Sequence, residues 1–196
     1  NLVSRTGGNR QPGRRVPQAA RIAMDEFQKN IWAPWRMEYI HSLGGESGGC
    51  FLCDYAAAPD KDTENLVLWR TDDFLVVLNR FPYTNGHLLV APRSHKGDLS
   101  DFADAQLAEL MHHTRQAKAL LTSVVGAHGF NIGINFGRCA GAGLPDHLHV
   151  HVVPRWNGDT NFMAVLGGVR VIPDGLNQCY ARLKDGAAKL GLPERS

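Results

Sequence analysis

The sequence predicts an α+β fold: an antiparallel sheet with one long helix packed on it and a short C-terminal helix. Three observations predict it. Short apolar runs set between turn residues read as strands, and most connections between them are too short for a parallel return. One segment instead carries apolar residues at helical spacing: Leu107, Leu110, Met111, Ala117, Leu120, Leu121 and Val124. The order is strands, helix, strands, not the strict alternation of a doubly wound sheet.

The elements follow in order. Residues 27–43 read as a short irregular or helical entry, and the glycine-rich turn 44–49 leads to Cys50-Phe51-Leu52-Cys53, followed by irregular sequence. A polar loop at 60–64 precedes strands at 66–70 and 74–78, which flank the turn Thr71-Asp72-Asp73. A loop at 82–86 leads to a strand at 87–91. Ser100 or Asp101 is the expected N-cap of a helix running to about Val125, and 126–129 ends it. Residues 130–136 alternate like a strand. A glycine-rich loop, 137–146, delivers the chain to a run at 147–153, and a last helix is expected near 177–190. No internal repeat is visible.

At 196 residues, with 43% hydrophobic residues, the chain suffices for one domain with a real core. No apolar run approaches the roughly 18–20 residues of a membrane span. The net charge of +2 hides an asymmetry. Residues 1–23 hold Arg5, Arg10, Arg14, Arg15 and Arg21 and no acid, which leaves 16 basic against 19 acidic residues elsewhere. This stretch lacks the apolar core of a secretory signal and is too polar to order itself. It is expected to be a disordered tail, either a nucleic-acid arm or a non-native leader. It lacks the interleaved aromatics that nucleic-acid arms use, so a leader is the simpler reading. Met24 is then a candidate start, with the domain at 24–196. Without a secretory signal, Cys50, Cys53, Cys139 and Cys179 point to a reduced, cytoplasmic protein rather than a disulfide framework.

Chemistry concentrates in His147-Leu148-His149-Val150-His151-Val152-Val153. On a strand, successive side chains face opposite sides, so the three imidazoles share one face and the apolar residues point into the core. Stability does not ask for three histidines on one face, whereas imidazole is a nucleophile, an acid/base and a metal ligand near neutral pH. The glycines of 137–143 allow backbone N–H groups to approach an anion. No Walker loop, Rossmann fingerprint or acidic magnesium cluster is visible.

The run resembles the signature of the histidine triad (HIT) superfamily. The likeness extends to Pro154-Arg155-Trp156, to Asn135-Phe136-Gly137 with the loop that follows, and to residues 77–92, which look like the family's paired strands. Residues 32–40, Trp32-Ala33-Pro34-Trp35-Arg36-Met37-Glu38-Tyr39-Ile40, resemble the bacterial diadenosine tetraphosphate phosphorylase-like branch. The resemblance covers about 31–175. It implies that His149 is a nucleophile forming a nucleotidyl-histidine intermediate, and that His151 contacts the transferred phosphate and assists the leaving group. It also implies substrate contacts from Asn79, Asn135, Gly141, Gly143, His151 and Trp156, and a homodimer paired through the long helix and sheet edge.

Cys50-x-x-Cys53 is a chelating spacing, open on its own to redox, zinc or chance. A redox pair belongs at a helix start in a βαβ unit, which this context does not offer. In the zinc-bearing branch that includes galactose-1-phosphate uridylyltransferases, such a pair, a histidine after the preceding strand and the first motif histidine coordinate zinc. Cys50, Cys53, His95 and His147 match those positions, so the resemblance implies a closed structural zinc site.

The expected activity is cleavage of dinucleoside polyphosphates, of the diadenosine tetraphosphate type, by a nucleotidyl hydrolase or transferase. The acceptor, water or phosphate, stays open. Fragile-histidine-triad hydrolases carry Gln where this chain has Gly143, and the serine of the phosphorylase-like branch is missing there too. The alternatives are hydrolysis of nucleoside phosphoramidates or aminoacyl-adenylates, and a nucleotide-binding regulatory module. No membrane partner is expected, and nucleic acid ranks last.

Overall fold

Five strands form one antiparallel sheet: β1 (Val67–Arg70), β2 (Phe74–Leu78), β3 (Leu88–Pro92), β4 (Gly129–Gly133) and β5 (Val150–Arg155), in the order β1-β2-β3-β5-β4. They belong to a computed structural model that describes residues 49–159 and 174–193, all within one compact unit. The expected tail 1–23, the entry 27–43, the segment 32–40 and most of the turn 44–49 lie outside the described residues. Three helices accompany the sheet among those residues: α1 (Phe51–Ala57), α2 (Asp104–Val125) and α3 (Leu176–Lys189). None is long and apolar enough to cross a membrane.

Strands β1, β2, β3 and β5 are buried on both faces, and alternation decides what each face meets. Phe74, Val76 and Leu78 of β2, Leu88 and Val90 of β3, and Val150 and Val152 of β5 pack with Leu110, Ala117, Leu120 and Leu121 of α2 and Tyr180 and Leu183 of α3. The odd set, Val67, Leu75, Val77 and Ala91, packs under Leu52 and Ala56 of α1. Helix α3 comes close to α2 because Gly186 has no side chain: a Cβ there would sit 2.3 Å from Val124 Cγ2.

Four expectations need correction. Ser100 and Asp101 do not cap the long helix. Asp98 caps a short 3-10 turn, Leu99–Asp101, in a reciprocal box with Asp101. Phe102 then turns into the core in an extended conformation, and α2 begins only at Asp104. Gly126, left-handed at φ 60°, ends α2 as a glycine can. The sequence after Cys53 is not irregular, since Cys50 caps α1 with its own sulfur accepting the Cys53 N–H. Strand β4 stops at Gly133, short of Phe136. Finally, β5 starts at Val150, so His147, Leu148 and His149 approach the sheet outside its hydrogen-bonded ladder. Leu148 N–H bonds instead to Lys96 O at 2.7 Å.

Candidate functional site

Strand β5 lies between β3 and β4, and His151 sits opposite Leu89 on one side and Gly133 on the other. The alternation expected from the sequence survives although the ladder begins late. Leu148, Val150 and Val152 enter the core below the helices, and His149 and His151 take the opposite face with ring centroids 4.9 Å apart. His147 is fully buried and His149 is 7% exposed.

Backbone carbonyls fix the tautomers, because a carbonyl can only accept. His149 Nδ1 lies 2.8 Å from His147 O, so Nδ1 carries the proton and donates it there. The lone pair of His149 is thereby placed on Nε2. Burial pushes the His149 imidazole below its usual pKa, with the bond to His147 O acting against that shift. A neutral imidazole with a directed lone pair is the form a nucleophile requires. His147 follows the same logic. Its Nε2 donates to Pro92 O at 2.7 Å, which leaves Nδ1 unprotonated.

That Nδ1 faces two sulfurs, 3.0 Å from Cys50 Sγ and 3.4 Å from Cys53 Sγ, while His95 Nδ1 lies 3.3 Å from Cys53 Sγ. The four ligand atoms all fall within 4.8 Å of one another. Donors around a tetrahedral zinc are separated by about 3.3–3.8 Å, given its usual bond lengths, and the three sulfur-to-nitrogen separations above lie at or just under that spacing. The Pro92 carbonyl is the kind of outer partner that orients a ligating imidazole. Burial pushes the Cys50 thiol up to about 11, with the Cys53 N–H bond acting against that shift and the Cys53 side chain adding to it. A bound cation acts in the opposite sense, since coordination removes a thiol proton outright. A pair capping a helix would also suit redox chemistry, but α1 runs onto an antiparallel sheet and not into a βαβ unit.

Gly97 lets the two ligand-bearing segments meet. A Cβ there would stand 2.9 Å from Pro145 O and 3.1 Å from Asp146 Cα, both backbone atoms. Together with the Leu148-to-Lys96 bond it clamps the turn after His95 onto the approach to His147.

His87 is a residue that pattern reading missed. It is fully buried, with Nε2 3.0 Å from His151 Nδ1. Its Nδ1 accepts from the Tyr83 N–H at 3.1 Å and lies 3.2 Å from Asn79 Nδ2. Since Nδ1 accepts, a neutral His87 carries its proton on Nε2 and donates to His151 Nδ1. Burial holds His87 well below the usual imidazole pKa, with His151 and His149 adding to it, so it stays neutral. His151 is then protonated on Nε2, the nitrogen 3.4 Å from the Asn135 amide. An Nε2–H selects the oxygen end of that amide, whose two ends are interchangeable by rotation. The Tyr83 ring lies over both imidazoles, 4.6 Å from His87 and 5.7 Å from His151.

The other expected contacts divide. Asn135 stands beside His151. Asn79 has its amide oxygen on Phe81 N–H and its nitrogen beside His87, so both ends serve the loop and the His87 ring. In the glycine loop, Ala140 and Ala142 N–H bond to Gly137 O and Gly141 N–H to Arg138 O, which narrows the expected anion nest. Gly141 is left-handed and closes that turn, whereas Gly143 makes no backbone hydrogen bond. Trp156 lies five residues beyond His151 on a strand rising about 3.3 Å per residue. Its indole N–H donates to Val125 O at the end of α2, so the fold does not bring it to the imidazoles of the same chain.

Comparison with known proteins matches this arrangement. The model of the HIT domain covers residues 60–158, or 99 of 196 positions. An "AP-4-A phosphorylase" of Mycobacterium tuberculosis is 41% identical over 154 residues, covering 76% of this chain and 78% of that one. A "Bis(5'-nucleosyl)-tetraphosphatase [asymmetrical]" of Schizosaccharomyces pombe is 34% identical over 93 residues, covering 47% of this chain and 50% of that one. Among solved structures, a zinc-bound histidine triad family protein from Mycobacterium smegmatis superposes with a TM-score of 0.58 at 30% identity, covering 72% of this chain and 97% of that one. A domain match over half its length and a 41% identical relative across three quarters of it place this chain in the HIT family.

Proposed function

We propose that this chain cleaves dinucleoside polyphosphates of the diadenosine tetraphosphate type through a nucleotidyl-His149 intermediate. The observation that carries the proposal is the His149 Nδ1–H bond to His147 O, which leaves Nε2 as a neutral, directed nucleophile. In the first step Nε2 attacks the α-phosphorus, a P–N bond forms and the bond to the bridging oxygen breaks, releasing ATP. His151, protonated on Nε2 because its Nδ1 accepts from His87, supplies a hydrogen bond or proton to the departing oxygen. In the second step the acceptor oxygen attacks the same phosphorus, the P–N bond breaks and His149 is regenerated. The likeness to a protein named as a phosphorylase favours phosphate as acceptor.

The metal assigned to Cys50, Cys53, His95 and His147 is zinc. The two-sulfur, two-nitrogen donor set suits it, and the likeness to a zinc-bound relative supports it. Zinc there is structural: it would tie α1 and the segment after β3 to His147, whose carbonyl in turn orients His149. A homodimer is part of the same reading. Among the described residues strand β4 ends the sheet, and Met111 on α2 and Ile132 on β4 are 59% and 45% exposed.

Product analysis tests the activity. Diadenosine tetraphosphate incubated with phosphate should give ADP plus ATP if phosphate is the acceptor, and AMP plus ATP if water is. Two ADP would show attack away from the α-phosphorus and overturn the mechanism.

A further inference from the structure

Asn135 reaches His151, and the three residues that follow leave the site in a definite direction. Phe136, the residue after Asn135, is 41% exposed and puts an aromatic ring on the surface. Gly137 turns the chain at φ 74° and has no atom within 4 Å of where a Cβ would stand. Arg138 is exposed, and its guanidinium makes no hydrogen bond or ion pair among the described residues. A cleft of about 380 Å³ opens here, and Phe136, Gly137, His95, Asp98, Asp101 and Asp146 are among the residues that line it. Its size suits a small ligand.

We propose that this cleft and the segment Phe136-Gly137-Arg138 form the subsite for the leaving nucleoside polyphosphate, with the base stacked on Phe136 and the distal phosphates held by Arg138. The proposal rests on the dinucleoside polyphosphate reading above. Charge decides the orientation. Three carboxylates repel a phosphate chain, so the uncharged nucleoside is the part that fits between them, where its hydroxyl and amino donors meet carboxylate acceptors. The phosphates then run past Gly137 toward Arg138, the next residue of the segment, whose planar fork matches them. A divalent cation is a poorer occupant. Asp98 Oδ1 already accepts from the Ser100 N–H and hydroxyl, and Asp101 Oδ2 accepts from the Asp98 N–H. An aromatic platform answers to a base, whereas a divalent cation wants oxygen ligands that a phenyl ring does not supply.

Two substrates of the full chain separate the subsites: diadenosine tetraphosphate, and the p-nitrophenyl ester of AMP, which has the reacting nucleotide and no second nucleoside. Phe136→Ala should lower the ratio of kcat/KM for the first over the second by about tenfold, as loss of one base stack does. Most of that change should appear in KM, and Phe136→Tyr should restore it. Arg138→Gln should weaken the preference for diadenosine tetraphosphate over the triphosphate several-fold. Equal losses on both substrates, a Phe136→Tyr variant as impaired as Phe136→Ala, or an unchanged chain-length preference in Arg138→Gln would overturn the subsite while leaving the activity standing. Turnover of neither substrate by the unaltered chain overturns the activity, and the subsite with it.

Discussion

His87 Nε2 lies 3.0 Å from His151 Nδ1, across the pairing of β3 with β5. This bond gives His151 its tautomer, because His87 Nδ1 is occupied as an acceptor from the Tyr83 N–H. His87→Leu should therefore lower kcat by about 10- to 100-fold, the usual cost of losing an orienting partner behind a reactive group. His87→Gln, which keeps an N–H donor, should recover part of it. A purely packing role would show in the melting temperature alone, with kcat untouched in both variants.

The same histidine makes stability depend on pH. Burial depresses its folded-state pKa well below the ordinary value of 6.5, so the unfolded chain binds the proton first. The contribution is fully present above about pH 6.5 and is lost as pH falls below it, by up to about 1.4 kcal/mol per pH unit for one such group. His147 and His149 are shifted the same way by burial. Thermal unfolding between pH 7.5 and 5 should show this slope, and His87→Gln should flatten it. An identical slope in the variant would remove His87 from the account.

Removing the nucleophile should separate chemistry from binding. His149→Ala deletes the attacking Nε2 but leaves the backbone, the glycine loop and His151, so turnover should fall by at least about 10⁴-fold. AMP binding by calorimetry should change little. A variant with more than a small fraction of the starting rate, contamination excluded, would end the covalent mechanism.

How much of this was legible in the sequence depended on distance along the chain. Strand β2 and helix α2 show in their periods because each repeats its pattern for long enough. Helix α1 has seven residues, too few for a period, so Phe51, Leu52, Tyr55 and Ala56 read as irregular. The start of α2 is not legible because Asp98, Ser100 and Asp101 are all capping types, and only the inward turn of Phe102 moves it on to Ala103. The metal cluster was legible through the Cys-x-x-Cys spacing and the likeness to a zinc-bearing branch. His87 was not. Its partner is 64 positions away, and its place in an apolar strand run looks like any strand start. Gly97 gave no signal either, since the backbone it makes room for is Pro145–Asp146.

Quaternary structure should follow the sheet edge. With β4 at the edge of the sheet among the described residues and Met111 exposed on α2, sedimentation at micromolar concentration should give a dimer. An Ile132→Lys change at that edge should shift it toward monomer. A monomer in the unaltered chain would reject pairing through these elements.

The metal cluster ties folding to catalysis through a short mechanical path. Cys50 and Cys53 hold His147 Nδ1, and the His147 carbonyl takes the His149 Nδ1–H. If zinc fills the cluster, the purified protein should carry about one zinc per chain. Cys50→Ser or Cys53→Ser should then lower metal content and melting temperature together, because metal affinity is part of the folding free energy. Gly97→Ala makes a sharper test, since it alters no ligand. Its methyl would press on Pro145 O and Asp146 Cα, displacing His95 from His147 and weakening the site from the outside. It should lose zinc to a chelator faster than the unaltered chain, with activity falling in step as His149 loses its orientation. A Gly97→Ala protein that holds zinc as tightly, or a zinc-free protein as stable and active as the purified one, would cut the link between cluster and nucleophile.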